Sequence, residues 1–191
     1  MKHLLYLTLI TLLFLSCGPN VEVIDDFSDT SFTLMDADSN RVIFPNDFEG
    51  KYVVIGFIYT NCPDICPLIT QNLVTIQKEL NYPDDVEFVA ASFDPERDTP
   101  SVLKKYAKPF GVDKNFTFLT GAPSNVETFL DSARVRTQVS MTTTTDDGRE
   151  LYFLNHSDKI MVLDRKGRVV LEYGGSMTKS KFIIEDLNKI R

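Results

Sequence analysis

Hydrophobic and polar positions follow two periodicities along the chain, one typical of buried strands and the other of amphipathic helices. Nearly continuous apolar runs at residues 52–59 and 86–93 predict two strands buried on both faces. Apolar residues at helical spacing predict helices over 68–80, 101–110, 126–133 and 179–190. These segments alternate, so strands and helices belong to one layered unit.

Turn residues complete this pattern. They separate apolar segments 31–35 and 41–44 near the start, and 159–163 and 168–173 near the end, and so predict two hairpins. A short strand is predicted at 116–119, and the polar stretch Thr142–Thr145 with the following Asp146-Asp147-Gly148 predicts an exposed loop. The order indicates the α/β class, a thioredoxin-like sandwich with an N-terminal β-hairpin.

Composition excludes some classes of protein. The 191 residues are 43% hydrophobic and 25% charged, which is typical of a globular chain with one core. The formal net charge of −7 argues against nucleic-acid binding, which favours a basic face.

The first 16 residues have the pattern of a secretory signal rather than of the fold. A short basic start precedes an apolar run at 4–15, and Ser16 stands before Cys17. This resembles a bacterial lipoprotein signal, in which Cys17 becomes the lipidated N-terminus. We expect residues 1–16 to be the signal peptide, 17–30 a lipidated cysteine and tether, and 31–191 the folded domain. The chain would then be anchored by lipid to a membrane of a bacterial cell envelope and would face the extracytoplasmic side.

Two further cysteines, Cys62 and Cys66, lie where the strand at 52–59 gives way to the next helix. The carboxyl end of a central strand is where open α/β sheets place their sites. Pro67 suits the first turn of a helix, and the positive helix N-terminus favours thiolate over thiol. The pair is therefore placed to close a disulfide or to hold a metal ion. A structural disulfide is the less favoured reading, because so small a loop would constrain the unfolded chain little.

His156 would be the one histidine left after signal cleavage. Two thiolates and an imidazole suit copper, whereas a closed zinc site normally takes four ligands. Asp64 is available as a fourth ligand, but a carboxylate is a poor complement for Cu(I). The residues therefore indicate a copper site formed by Cys62, Cys66 and His156.

Three stretches resemble the Sco/SenC family of membrane-tethered copper proteins. They are residues 56–67 (Gly-Phe-Ile-Tyr-Thr-Asn-Cys-Pro-Asp-Ile-Cys-Pro), residues 92–100 (Ser-Phe-Asp-Pro-Glu-Arg-Asp-Thr-Pro) and residues 152–157 (Tyr-Phe-Leu-Asn-His-Ser). The resemblance implies a thioredoxin-like fold and copper held by Cys62, Cys66 and His156. It also implies delivery of copper to the binuclear centre of cytochrome c oxidase, or prior reduction of that centre's cysteines. One departure is Asn155, which replaces the family's usual Asp and brings no charge to position His156.

The second stretch also has an architectural interpretation. Asp98 or Thr99 is expected to cap a helix that begins at Pro100. Arg97 is expected either to steer an acidic partner or to form a surface salt bridge.

Two functions from different classes follow. The first is a copper metallochaperone, which is not an enzyme; its partners would be the copper-bearing subunit of cytochrome c oxidase, other periplasmic copper or thiol-redox proteins, and the membrane. The second is a thiol–disulfide oxidoreductase in which Cys62 attacks and Cys66 resolves. His156 distinguishes the two functions, because a copper site needs this residue and a dithiol reductase does not. A peroxiredoxin is disfavoured, since Ile55 and Tyr59 occupy the places of its proline and threonine, and a copper or redox sensor stays open.

Overall fold

The computed structural model describes residues 21–112, 114–148 and 150–191; the predicted signal peptide and Cys17 lie outside them. The strands are β1 (Asp25–Asp26), β2 (Phe32–Asp36), β3 (Arg41–Phe44), β4 (Tyr52–Ile58), β5 (Val86–Ser92), β6 (Phe116–Thr120), β7 (Thr137–Thr144), β8 (Glu150–His156), β9 (Ile160–Leu163) and β10 (Arg168–Tyr173). The helices are α1 (Ile65–Glu79), α2 (Pro100–Ala107), α3 (Pro123–Ser132) and α4 (Ser180–Ile190), with 3-10 turns at Asn46–Phe48 and Lys108–Phe110.

Eight of these strands form one mixed sheet in the order β1-β10-β9-β4-β5-β6-β2-β3. β4, β5 and β6 run parallel, whereas β9 pairs antiparallel with β4. Every residue of β4 and β5 is buried, as their continuous apolar runs predict. The carboxyl ends of these two central strands therefore meet at one edge, where the loops that follow them lie side by side.

Helices cover both faces of the sheet. A Cβ built on Gly56 of β4 would lie 2.6 Å from Cγ2 of Ile69, so α1 packs directly on the glycine's face. The next residue, Phe57, points to the opposite face, since side chains alternate along a strand. There its ring lies 5.8 Å from that of Phe129 in α3. The cysteine-bearing helix is thus held tightly against the central strand.

The loop predicted at residues 142–148 is wrong for its first three residues. Residues 142–144 belong to β7, which pairs antiparallel with β8 in a separate two-stranded sheet. All eight residues of β7 are exposed, so no alternation of buried and exposed positions marks the strand in the sequence. The backbone pairing of β7 with β8 defines the strand instead. This hairpin matters for the site because β8 ends at His156.

The predicted tether also differs in part from the structure. Asp25–Asp26 forms β1 and pairs with β10 at the sheet edge. Phe27 is only 2% exposed, and its ring packs edge-on against Phe32. Residues from 25 onward therefore belong to the folded domain, since β1 pairs with the sheet and the Phe27 side chain is buried in the core. No helix among the described residues is long and apolar enough to cross a bilayer.

Candidate metal centre

Cys62 and Cys66 lie on the connection from β4 to α1, at the carboxyl edge of the sheet. The helix begins at Ile65, three residues earlier than predicted, so Cys66 lies inside its first turn. Pro67 is still in that turn, where a missing N–H costs no helical hydrogen bond. The Tyr59 N–H donates to Sγ of Cys66 at 3.4 Å, and the Cys66 N–H to Sγ of Cys62 at 3.5 Å. Backbone donors therefore hold both sulfurs.

The structure brings His156 to the two sulfurs across 90 positions of sequence. Its Nε2 lies 3.6 Å from Sγ of Cys66. The three potential ligand atoms, two sulfurs and this nitrogen, all lie within 4.8 Å of one another. Nδ1 faces the Ser157 carbonyl oxygen at 3.0 Å. A carbonyl only accepts hydrogen bonds, so Nδ1 carries the hydrogen and Nε2 keeps a lone pair directed toward the sulfurs.

Burial decides the state of one thiol. Cys66 is fully buried, and burial raises the pKa of its thiol well above the ordinary range, with the nearby Cys62 charge adding to the effect. For Cys66, burial therefore acts against the expectation that the helix start favours thiolate, and it favours the thiol. A bound soft cation would supply the missing compensation, since metal ions bind thiolates and displace their protons.

Two aromatic rings fix the imidazole. The ring of His156 lies 4.6 Å from that of Phe93 and 5.9 Å from that of Tyr59, measured between centroids. Tyr59 also accepts a hydrogen bond on its phenolic oxygen from the Leu154 N–H, at 3.4 Å. Asn155, the departure from the family pattern, is exposed, and Nδ1 of His156 donates its hydrogen bond to the Ser157 carbonyl oxygen instead. Positioning of His156 therefore relies on neighbours other than residue 155.

Asp98 anchors the loop before Cys62 and does not cap a helix. One of its oxygens accepts from the Thr60 N–H at 3.0 Å and from the Ser92 hydroxyl at 2.6 Å, and the other accepts from the Thr60 hydroxyl at 2.6 Å. Thr99 occupies the cap position of α2, but its hydroxyl lies 3.1 Å from the Ser101 hydroxyl and makes no capping hydrogen bond to the helix backbone. Burial raises the pKa of Asp98. The carboxyl group thus ties the cysteine loop to the end of β5.

Arg97 joins the same edge of the sheet to the hairpin, an arrangement that sequence reasoning missed. Its guanidinium lies 3.5 Å over the ring of Tyr152 and donates to the Tyr152 carbonyl oxygen at 2.7 Å. It also forms an ion pair with Asp94, which accepts a hydrogen bond from the Tyr152 hydroxyl at 2.7 Å. Burial, helped by this bond to Asp94, raises the pKa of Tyr152 to about 12, so the hydroxyl remains a donor at neutral pH. Arg97 is therefore a largely buried clamp on β8 rather than a surface ion pair.

We expect removal of this clamp to weaken metal binding without removing a ligand. In Arg97→Ala, β8 loses its stacking and hydrogen-bond partner, and His156 is held less firmly. Loss of a group that orients a ligand typically costs ten- to a hundredfold in metal affinity, and we expect about tenfold here. Competition with a chelator measures the change in affinity, and Lys104→Ala, which removes an exposed ion pair with Asp38, is the control. Unchanged copper affinity in Arg97→Ala would show that the clamp does not position His156.

Comparison with known proteins agrees with this fold and assigns a family. A family model described as SCO1/SenC matches residues 25–191. An SCO2-like protein of Rickettsia felis is 33% identical over 138 residues, which cover 71% of this chain and 65% of that protein. The match thus spans slightly less than two thirds of the relative's length.

Solved structures are similar over most of the chain. ScoI of Bradyrhizobium japonicum, solved with copper bound, is 31% identical with a TM-score of 0.66, over 84% of this chain and 98% of that one. A SCO1/SenC family lipoprotein of Bacillus anthracis is 26% identical with a TM-score of 0.70, over 91% of this chain and 98% of that one. BsSco, in which a disulfide switch has been identified, is a member of the Sco family of cytochrome c oxidase assembly proteins; it is 27% identical with a TM-score of 0.68, over 89% of this chain and 96% of that one.

Fold and site together define a class: a mixed α/β domain with a thioredoxin-like sheet and a Cys-Cys-His cluster at the carboxyl edge of its central strands. The chain belongs to the SCO1/SenC family. The resemblance seen in the three sequence stretches is thereby confirmed.

Proposed function

We propose that this protein is a copper metallochaperone that binds one copper ion through Cys62, Cys66 and His156. The observation that carries the proposal is the convergence of two sulfurs and one imidazole nitrogen within 4.8 Å. Soft thiolates select Cu(I), and imidazole suits copper as well. The similar ScoI structure with copper bound supports the same cargo here.

Delivery to cytochrome c oxidase is the role proposed for the loaded protein. The similar protein BsSco, a member of a family of cytochrome c oxidase assembly proteins, supports this role. Three ligands leave the ion open to a further ligand, as transfer between proteins requires, whereas a structural site is normally closed by four. The recipient would be the copper-bearing subunit, at its binuclear centre.

The proposed site of copper delivery is the surface of a membrane of the bacterial cell envelope. A lipid on Cys17 would hold the domain at a membrane of the bacterial envelope, facing the extracytoplasmic side. The Bacillus anthracis family member described as a lipoprotein supports this anchor. A short segment that includes residues 18–24 would then separate the lipid from β1.

Titration of the reduced protein with Cu(I) in the absence of oxygen, in competition with a chelator, tests the copper site. We expect one tightly held copper per chain, and an affinity about ten- to a hundredfold lower in His156→Ala, because the ion keeps only two protein ligands. Asn155→Ala, at the neighbouring exposed position, is the matched control and should bind like the unaltered protein. An affinity independent of His156 would contradict the three-ligand site.

A thiol–disulfide oxidoreductase is the second candidate, favoured by the proximity of the two sulfurs and by the disulfide switch described for BsSco. Cys62, at 8% exposure, would attack, and the buried Cys66 would resolve. The variant His156→Ala distinguishes the two functions, because it should affect copper delivery but not disulfide reduction. Copper delivery to a soluble fragment of the oxidase subunit should fall in that variant, whereas reduction of a disulfide in the same fragment, measured without copper, should not.

A further inference from the structure

The three ligands differ in how far a second protein can reach them. Cys66 is fully buried and Cys62 is 8% exposed, whereas His156 is only half-buried. Transfer of a metal ion between proteins requires an incoming ligand to come within bonding distance before the ion leaves. The imidazole side of the site is therefore the accessible side.

A groove of about 850 Å³ opens on that side. It runs from His156 between α3 and the base of the β7–β8 hairpin, and its apolar lining includes Phe93, Val126, Leu130 and Val135. A volume of this size is at the upper end of small-ligand sites, and far exceeds what a copper ion or a small thiol occupies. The groove fits a piece of polypeptide that reaches the imidazole from outside.

The α3 wall of the groove carries two exposed carboxylates, Glu127 and Asp131, one helical turn apart. Among the ion pairs of the described residues, neither has a partner. Like charges at this spacing destabilise a helix, and Asp131 also lies near the negative end of the helix dipole. Arg136, at the base of β7, is the basic side chain among the residues that line the groove. A bound cation beside α3 would relieve both unfavourable interactions.

We propose that this groove binds an extended segment of the copper acceptor that carries a lysine or arginine beside its copper-binding cysteines, with the basic side chain against Glu127 and Asp131. This rests on the proposed function. As the segment docks, a bond forms between an acceptor thiolate sulfur and copper, and the bond between copper and Nε2 of His156 breaks. The neutral imidazole leaves, the acceptor thiol's proton goes to solvent, and the oxidation state of copper does not change. His156 is thus the first ligand exchanged; the second acceptor sulfur and a further acceptor ligand then replace the two cysteines, and each freed cysteine sulfur takes up a proton.

Two synthetic acceptor peptides test the proposal with the full chain loaded with Cu(I). Both carry the same Cys-x-x-x-Cys segment, one flanked by two lysines and the other by two glutamates. Transfer is measured by rapid mixing, separation and copper analysis at low and high salt. We expect the lysine peptide to take copper about tenfold faster than the glutamate peptide at low salt, with the difference shrinking at high salt. In Glu127→Lys/Asp131→Lys the preference should disappear or reverse.

Controls separate this groove from general charge effects. Glu79→Lys/Glu185→Lys makes the same change in net charge at exposed positions outside the groove lining, and should keep the preference. Arg136→Glu should increase the rate with the lysine peptide. Removal of copper by dithiothreitol, a small uncharged acceptor, should be equally fast in every variant.

Equal rates for the two peptides, or a preference that survives reversal of the α3 carboxylates, would overturn the docking proposal while leaving the copper site intact. A protein that sediments as a dimer and dissociates on reversal of these carboxylates would assign the groove to a second copy instead, and would also overturn it. Failure of the unaltered protein to bind copper would refute the proposed function itself, and is recognised from the stoichiometry before any transfer is measured.

Discussion

Replacing Cys66 by serine is expected to abolish tight copper binding. The side chain is fully buried between the start of α1 and the imidazole, and its sulfur is 3.6 Å from Nε2 of His156. A hydroxyl is a hard, neutral group at neutral pH and replaces a soft thiolate poorly as a ligand of Cu(I). We expect the affinity to fall at least about a thousandfold, equivalent to about 4 kcal/mol.

The same substitution should leave the fold in place, because the serine oxygen can still accept the hydrogen bond from the Tyr59 N–H. Far-ultraviolet circular dichroism checks the fold, and anaerobic competition with a Cu(I) chelator gives the affinity. Thr70→Ser is a matched control, since Thr70 is equally buried one turn further along α1. Should Cys66→Ser retain an affinity within tenfold of the unaltered protein, the Cys-Cys-His assignment would be wrong.

Removing the Asp98 carboxyl group should cause a large loss of stability. In Asp98→Ala the Thr60 N–H and two hydroxyl groups lose their acceptor at a fully buried position. A buried polar group left without a partner costs about 1–3 kcal/mol, and we expect the free energy of unfolding to fall by about 3 kcal/mol in total. Urea denaturation followed by circular dichroism measures this. Copper affinity should fall as well, because Thr60 begins the loop that carries Cys62.

Asp98→Asn is the matched control, since its amide oxygen can accept from the Thr60 N–H and its amide nitrogen can donate to the Thr60 hydroxyl. Burial raises the pKa of Asp98, so the folded state binds its proton more tightly than the unfolded state does. The contribution of Asp98 to stability is therefore complete below the unfolded pKa of about 4 and is lost as the pH rises through the folded value. The unaltered protein should thus lose stability relative to Asp98→Asn as the pH rises above about 4. A pH-independent difference would show that burial does not raise the pKa of Asp98 in the folded protein.

Local patterns were sufficient for most of the secondary structure. The buried strands, the two hairpins and the four helices were predicted with ends within a few residues, because apolar runs and turn residues report on near neighbours. The failures have a common cause. β7 is exposed at every position, and Phe27 is one apolar residue in a polar segment, so neither leaves a periodic signal. Both are defined by contacts with residues distant in sequence.

The candidate ligands were named from residue types, local position and the family resemblance, whereas the roles of the neighbouring residues Arg97 and Asp98 were predicted wrongly. Arg97 and Asp98 looked like a surface charge and a helix cap, because their motif precedes a proline-initiated helix. Their partners, Tyr152 and Thr60, lie 55 and 38 positions away. Spacing along the chain therefore carried no information about them.

The sequence by itself determined the family, the two central strands, and the chemical identity of the three candidate ligands, since two thiols and an imidazole together favour a soft metal ion. The tertiary structure decided that they do meet, which of them is buried and which is accessible, and how the groove and the Arg97 clamp surround the imidazole. The reason is physical: hydrophobic periodicity acts between neighbours in sequence, whereas burial and long-range hydrogen bonds depend on which segments the complete sheet places side by side.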